Sequence, residues 1–175
     1  MPNPLICHNT LIIRQLDIDD AVHAVDIFSQ MYAYYFSEPP TPEAIARYLT
    51  ERVLAAHSSV GVAGAFVDQK LMGFATYTIL YPAPNLSGQM FMKDLFVSAS
   101  ARGQRLGPKL MQYIAQVALE HDCERLDWTA EQSNPNAGKF YRALGADQII
   151  EKEYYRFTGA ALAAFAKQNS PMIKG

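Results

Sequence analysis

Residues 94–145 contain two glycine- and asparagine-bearing turns, each following a strand-like run and opening a helix, which restricts the chain to layouts in which strands feed directly into helices. In the first, residues 90–97 lead through Arg102, Gly103, Gln104, Arg105, Leu106 and Gly107 into an amphipathic run that ends at His121. A strand that turns sharply into a helix start leaves main-chain N–H groups unpaired at the positive end of the helix dipole, and such a group of donors is an anion site. Gly103 and Gly107 let a phosphate approach the main chain, and Arg102 and Arg105 add fixed positive charge. Pro108 falls in the first turn, where its missing N–H is not needed. Alone, a loop of this kind is more often only an ordinary connection with a solvated rim.

The second turn follows the strand-like residues 124–130 and carries Asn134, Ala137, Lys139, Phe140, Tyr141 and Gly145. Residues 102–107 resemble the Q/R-x-x-G-x-G/A pyrophosphate loop of the GNAT family of N-acetyltransferases. Asn134, Ala137, Phe140, Tyr141 and Gly145 match that family's second signature, N-x-x-A-x-x-F-Y-x-x-x-G. Both motifs occur in the family's order and at its usual separation. Arg105 stands where the family carries its middle glycine. With a Cβ there, the loop is expected to hold a backbone conformation open to non-glycine residues, with the arginine directed outward or onto a phosphate.

The resemblance implies an α/β (α+β) fold, a mixed central sheet flanked by helices, with splayed central strands holding acetyl-CoA. It covers residues 11–157 by element order, within one domain of residues 1–175. It further implies direct acetyl transfer from acetyl-CoA to a primary amine of a small molecule, diamine-like or amino-acid-like, with no metal and no covalent enzyme intermediate. The family also suggests a homodimer in which the C-terminal strand and helix pack on the partner. Coenzyme contacts are implied for main-chain N–H groups near Leu95, Phe96 and Val97, for Arg102, Gly103, Gln104, Arg105, Leu106, Gly107 and Pro108, and for Asn134, Ala137 and Lys139. Asn134 before a helix is as readily a cap.

An amine with a pKa near 10.4 is neutral in only roughly one molecule in 2,500 at pH 7, equivalent to about 4.6 kcal/mol, so the site must take a proton before attack. It must also return one to the leaving thiolate. Tyr141 sits at the family's position for that acid, although a tyrosine beside Phe140 on a helix is also ordinary packing. For the base, Asp94 and Glu131 are both candidates through water, and Asp94 is preferred. Residues 77–82 and 94–97 resemble the diamine (spermidine/spermine) acetyltransferase branch, in which an acidic residue usually stands at the position of Lys93. A lysine there repels a polycation. A protein or peptide acetyltransferase acting on lysine or an N-terminus, and a non-catalytic acyl-CoA-binding module, remain open alternatives.

Elsewhere, a strand at 11–15 precedes a helix from about Asp19, with Asp17, Asp19 and Asp20 at its start and Ala21, Val25, Phe28, Tyr32 and Tyr35 at helical spacing. Pro39 and Pro40 break it, and Thr41 and Glu43 start a second helix running to about Ala55. Tyr32, Tyr34, Tyr35 and Phe36 are expected to supply an aromatic acceptor wall, with at least two of them in the core; Tyr81 and Glu131 complete the proposed acceptor set. Strands at 59–67 and 71–80 form a hairpin about residues 68–70, followed by a loop at 81–85. The long helix places Leu106, Leu110, Ile114, Val117 and Ala118 on one face. A further strand is expected at 148–156, a helix at 159–167 and a mobile tail from 168.

Charge sets outer limits. A net charge of −2 argues against a nucleic-acid binder. Residues 1–87 hold 4 Lys/Arg against 8 Asp/Glu, whereas residues 88–175 hold 11 against 9, so the basic half is the one with the phosphate loop. An acidic half suits a cationic acceptor, though solvated helix faces explain such charges as well. Cys7 and Cys123, and His8, His23, His57 and His121, show no ligand or redox spacing, and no metal is expected. Cys123 enters a strand, where burial raises a thiol's pKa and disfavours a ping-pong route. With no leader pattern and no apolar run long enough for a membrane span, the expected compartment is the cytoplasm.

Overall fold

A computed structural model describes residues 10–167; the tail from 168, Cys7 and His8 lie outside the described residues. The chain divides into two compact units, one ending at Glu131 and one beginning at Gln132. The first holds a five-stranded sheet in the order β1 (Leu11–Gln15), β2 (Gly61–Val67), β3 (Lys70–Leu80), β4 (Gly88–Val97), β5 (Cys123–Trp128). Neighbours are antiparallel except β4 and β5, which run parallel, so the sheet is mixed. The β2–β3 turn has two residues, Asp68 (φ 49°) and Gln69 (φ 66°), both left-handed, the geometry that follows strand twist in a tight hairpin.

Helix α1 (Ala21–Tyr35) follows a single tight turn at Ile18–Asp20. Asp17 accepts from the Asp19 N–H at 2.9 Å and Asp20 accepts from the Asp17 N–H at 3.0 Å, closing a capping box that starts the helix. Arg14 clamps the Asp20 carboxylate through two hydrogen bonds of 2.6 Å and lies over the Phe66 ring. The Arg14 hydrogen bond is the main reason the Asp20 carboxyl is held below its ordinary value. A depressed carboxyl pKa adds stability above the unfolded value of about 3.9 and loses it as pH falls through the folded value. Asp20→Asn is therefore expected to melt below the parent at neutral pH, with the gap closing in strongly acidic buffer; melting curves across that range test it.

The α1 face buries Ala21, Ala24, Ile27, Phe28 and Met31. Together with Ile45 from α2 (Pro42–Tyr48), Leu49 and Val53 from the wider π-type turn that continues it, and Val62, Phe66, Phe74 and Phe96 from the sheet, they form one core cluster. Helix α3 (Leu106–Glu120) buries Leu106, Leu110, Met111, Ile114 and Ala118 outside that cluster, as are the buried Met90 and Met92 of β4. The aromatic segment departs from expectation: Tyr34, Tyr35 and Phe36 are exposed and only Tyr32 is half-buried, because the helix stripe turns away from the core in its last turn.

The second unit contains α4 (Pro135–Ala143) and α5 (Gly159–Lys167). The strand anticipated at 148–156 does not form; alternating apolar residues favour a strand, but a ladder partner is needed to make one, and these residues join no ladder. Among the described residues, no helix is long and apolar enough to cross a membrane, and no group of three or more His, Cys, Asp or Glu could hold a metal ion.

Candidate active site

The geometry of β4 builds the site. Its register against β3 runs Met92 opposite Tyr77 and Asp94 opposite Thr76, leaving Lys93 as an extra residue, a β-bulge. A bulge shifts the alternation of side chains by one. Met90 and Met92 accordingly lie outside the cluster that Phe96 joins, although all three have even numbers. Asp94 follows Phe96 and comes close enough to Tyr32 and Tyr35 for its charge to act on both phenols.

On its other side β4 pairs with β5 only as far as Met92 opposite Trp128. Residues 93–97 have no β5 partner, so the main chain at Leu95 and Val97, which alternates away from β3 on either side of Phe96, presents an open edge to which a peptide-like arm can add as a strand would. Beyond Val97, the Ser98 N–H donates to the Met72 carbonyl at 2.9 Å and its hydroxyl to Gln30 Oε1 at 2.8 Å, which pins the exit of the strand to α1.

The loop that follows meets the demands of a diphosphate. Gly103 has φ +81°, and a Cβ built there finds nothing within 4 Å, so the main chain is open to a large anion. No side chain caps the α3 N-terminus and no acidic residue lies in its first turn. The Leu106 and Gly107 N–H groups are thus left to an external acceptor, with Arg102, Arg105 and Lys109 exposed around them. Arg102 also approaches the Tyr34 ring, 5.9 Å from its centroid. Arg105 is a correction: it is exposed as expected, but sits at φ 61°, ψ 22°, in the left-handed region that favours glycine. The Cβ costs about 1–2 kcal/mol there. The turn takes a geometry that favours glycine without having one there, because the chain must reverse sharply into α3.

Asp94 is held by Thr76, a buried residue the sequence reading missed. The Thr76 hydroxyl donates to Asp94 Oδ2 at 2.7 Å and accepts from the Asp94 N–H at 3.1 Å. Asp94 Oδ1 lies 3.6 Å from Lys93 Nζ. Burial, then the charges of Tyr48 and Asp94, push the Tyr32 phenol above its ordinary value. Partial burial, then Tyr34, Asp94 and Glu131, do the same for Tyr35. Tyr32, Tyr35, Asp94 and Glu131 thus form one acidic and aromatic group.

Tyr81 does not belong with them. Its phenol donates to the His121 carbonyl at 3.2 Å and its ring lies over Gly88, at the opposite end of β4. At strand rise, the six residues from there to Asp94 span about 20 Å. Tyr77 is buried, with its hydroxyl donating to Gln15 Oε1 at 2.7 Å; burial pushes its pKa up to about 12, so it stays a neutral phenol. Burial also raises the Cys123 thiol, which weakens it as a nucleophile.

In the second unit, Asn134 Oδ1 accepts from the Ala137 N–H at 3.2 Å and caps α4, so the capping reading holds for that oxygen. Lys139 is exposed, and the half-buried Tyr141 meets the Phe140 ring edge-on at 5.0 Å.

An open strand edge leading into an uncapped, arginine-flanked helix N-terminus defines a protein that takes a phosphorylated, peptide-like ligand. Residues 24–146 match the acetyltransferase (GNAT) family, and the chain belongs to that family. Acetyl-CoA is the acyl donor of the family, and the loop and strand edge fit its diphosphate and amide-bearing arm. The chain is similar to an integron cassette protein from the mobile metagenome of V. cholerae, with a TM-score of 0.87 and 50% identity over 90% of this chain and 98% of that one. It is 30% identical over 99 residues to thialysine N-epsilon-acetyltransferase of Bos taurus, matching 55% of this chain and 58% of that protein. It is 29% identical over 102 residues to L-ornithine N5-acetyltransferase NATA1 of Arabidopsis thaliana, matching 58% of this chain and 45% of that protein. The chain thus spans about half the length of these curated relatives.

Proposed function

We propose that the protein transfers an acetyl group from acetyl-CoA directly to a primary amine of a small molecule. The observation that carries this reading is the continuity of the open β4 edge at residues 93–97 with the uncapped N-terminus of α3. The bound thioester supplies an electrophilic acyl group. Of the main-chain N–H groups at Leu95, Phe96 and Val97, those of Leu95 and Val97 turn away from β3, and they hold its carbonyl and favour developing negative charge there. Asp94, fixed by Thr76, takes the proton of the incoming ammonium through water. Tyr141, placed by the family motif, returns a proton to sulfur. Ala137 and Lys139 lie in the same motif and are assigned to the coenzyme. Relatives named for thialysine and ornithine acetylation favour a small amine over a protein substrate.

Thiol release measured with diamines, aminoglycosides, amino acids and lysine peptides tests the reading. Turnover with a small amine is the expected result; coenzyme binding without thiol release for any amine means a binding module instead. Asp94→Asn is expected to lower kcat/KM for the amine by roughly 10²-fold or more, while leaving acetyl-CoA affinity nearly unchanged. The deficit should shrink at alkaline pH, as the acceptor loses its proton unaided. A pH profile parallel to the parent's would remove Asp94 from the proton path.

A homodimer is part of this proposal. Ile149, Ile150, Tyr154, Tyr155, Phe157, Leu162 and Phe165 are all exposed in the second unit, and so much apolar surface is what subunit contacts cover. Sedimentation of the full chain decides it. The unpaired, buried Cys123 suits a reducing compartment, the cytoplasm.

A further inference from the structure

The bulge in β4 places two opposite charges on one spot. In an unbroken strand, Lys93 and Asp94 would point to opposite faces. With Lys93 inserted as an extra residue, its Nζ comes to 3.6 Å from Asp94 Oδ1. That separation is longer than the roughly 2.7–2.9 Å of a charge-assisted hydrogen bond. The Lys93 side chain is 77% exposed and that of Asp94 28%. A loose pair of this kind contributes little to stability, so the ammonium stays available to another anion beside the carboxylate assigned to the amine.

We propose that Lys93 is a specificity-determining residue that binds a carboxylate of the acceptor, so that the acceptor is a zwitterion with a reactive primary amine and a carboxylate on one small molecule. The inference rests on the transferase reading above. Thr76 holds Asp94 Oδ2, leaving Oδ1 on the side of Lys93. Tyr32, Tyr35 and Glu131 belong to the same group, so the acceptor's ammonium meets aromatic rings and negative charge. Lys93 is a cation set directly beside the Asp94 carboxylate of this group, and its flexible four-carbon stem lets Nζ follow a carboxylate several ångströms from the amine. An acceptor that carries only ammonium groups meets the same lysine as repulsion. One charge thus attracts amino acids and rejects diamines.

The test uses acceptors that differ only by the carboxylate: ornithine against 1,4-diaminobutane, and lysine against 1,5-diaminopentane. Thiol release gives kcat/KM for each, and calorimetry gives acetyl-CoA affinity. The parent protein is expected to prefer the amino acid of each pair by roughly ten- to hundredfold. Lys93→Gln should bring the ratio close to one, and Lys93→Glu should reverse it, with acetyl-CoA affinity and melting temperature unchanged because the side chain is exposed. Equal kcat/KM for both members of each pair, unmoved by Lys93→Glu, overturns this inference and leaves the transferase reading in place. Saturable acetyl-CoA binding with no thiol release for any of the four amines overturns this inference, and the same result across the wider amine panel above overturns the transferase reading as well.

Discussion

Tyr141→Phe is expected to lower turnover by roughly 10²- to 10³-fold while acetyl-CoA binds within about twofold of the parent affinity, the signature of removing a general acid. The substitution deletes one oxygen and keeps the ring that meets Phe140 edge-on, so α4 retains its packing. Binding by calorimetry and steady-state thiol release separate the two quantities. A leaving thiolate needs a proton, and a phenol can deliver one across a single short hydrogen bond. Unchanged turnover in the variant would assign that proton to water or to another side chain.

The largest stability effect is expected at Phe74. This side chain is fully buried in the middle of β3, stacks on Phe28 with ring centroids 4.2 Å apart and planes within 9°, and lies 6.1 Å from the Phe96 ring. It joins α1 to the two strands that carry the site. Phe74→Ala removes those contacts and leaves a cavity that a close-packed sheet cannot collapse into, at a cost of about 3–5 kcal/mol. That is a large share of the roughly 5–15 kcal/mol that holds a typical domain together. Urea unfolding should show a lower midpoint at an unchanged slope. A midpoint shift worth less than about 1 kcal/mol would mean that neighbouring side chains refill the space, and that the stack with Phe28 contributes little.

Much of the architecture was legible because the signals are local. Asp17 and Thr41 announce helix starts through side chains that reach main-chain donors two or three residues on, and Asp20 reaches back to the Asp17 N–H to close the capping box. The apolar spacing of residues 106–118 marked the buried face of α3, and the short polar turn at 68–70 between two strand-like runs marked the hairpin. The phosphate loop was legible for the same reason, since glycine, arginine and a helix start lie within six residues of one another. The proposed acceptor residues do not all lie together. Tyr32 and Tyr35 lie within reach of the Asp94 charge, and Tyr35 of that of Glu131, but Tyr81, which is near Asp94 in sequence, lies at the far end of the strand. Sequence distance along an extended strand becomes spatial distance.

The order of elements up to the helix at 135–143, the two family motifs and the identity of Asp94 as a candidate base were determined by the sequence alone, because each rests on neighbours within a turn or two of chain. Only the tertiary structure decided that β4 bulges at Lys93, that Thr76 grips Asp94 from 18 residues away, that Arg105 occupies the left-handed region, and that residues 148–156 form no strand. Register is a property of two strands together: the partner's hydrogen bonds set which residue is left over, and that one surplus residue turns Lys93 and Asp94 onto the same face.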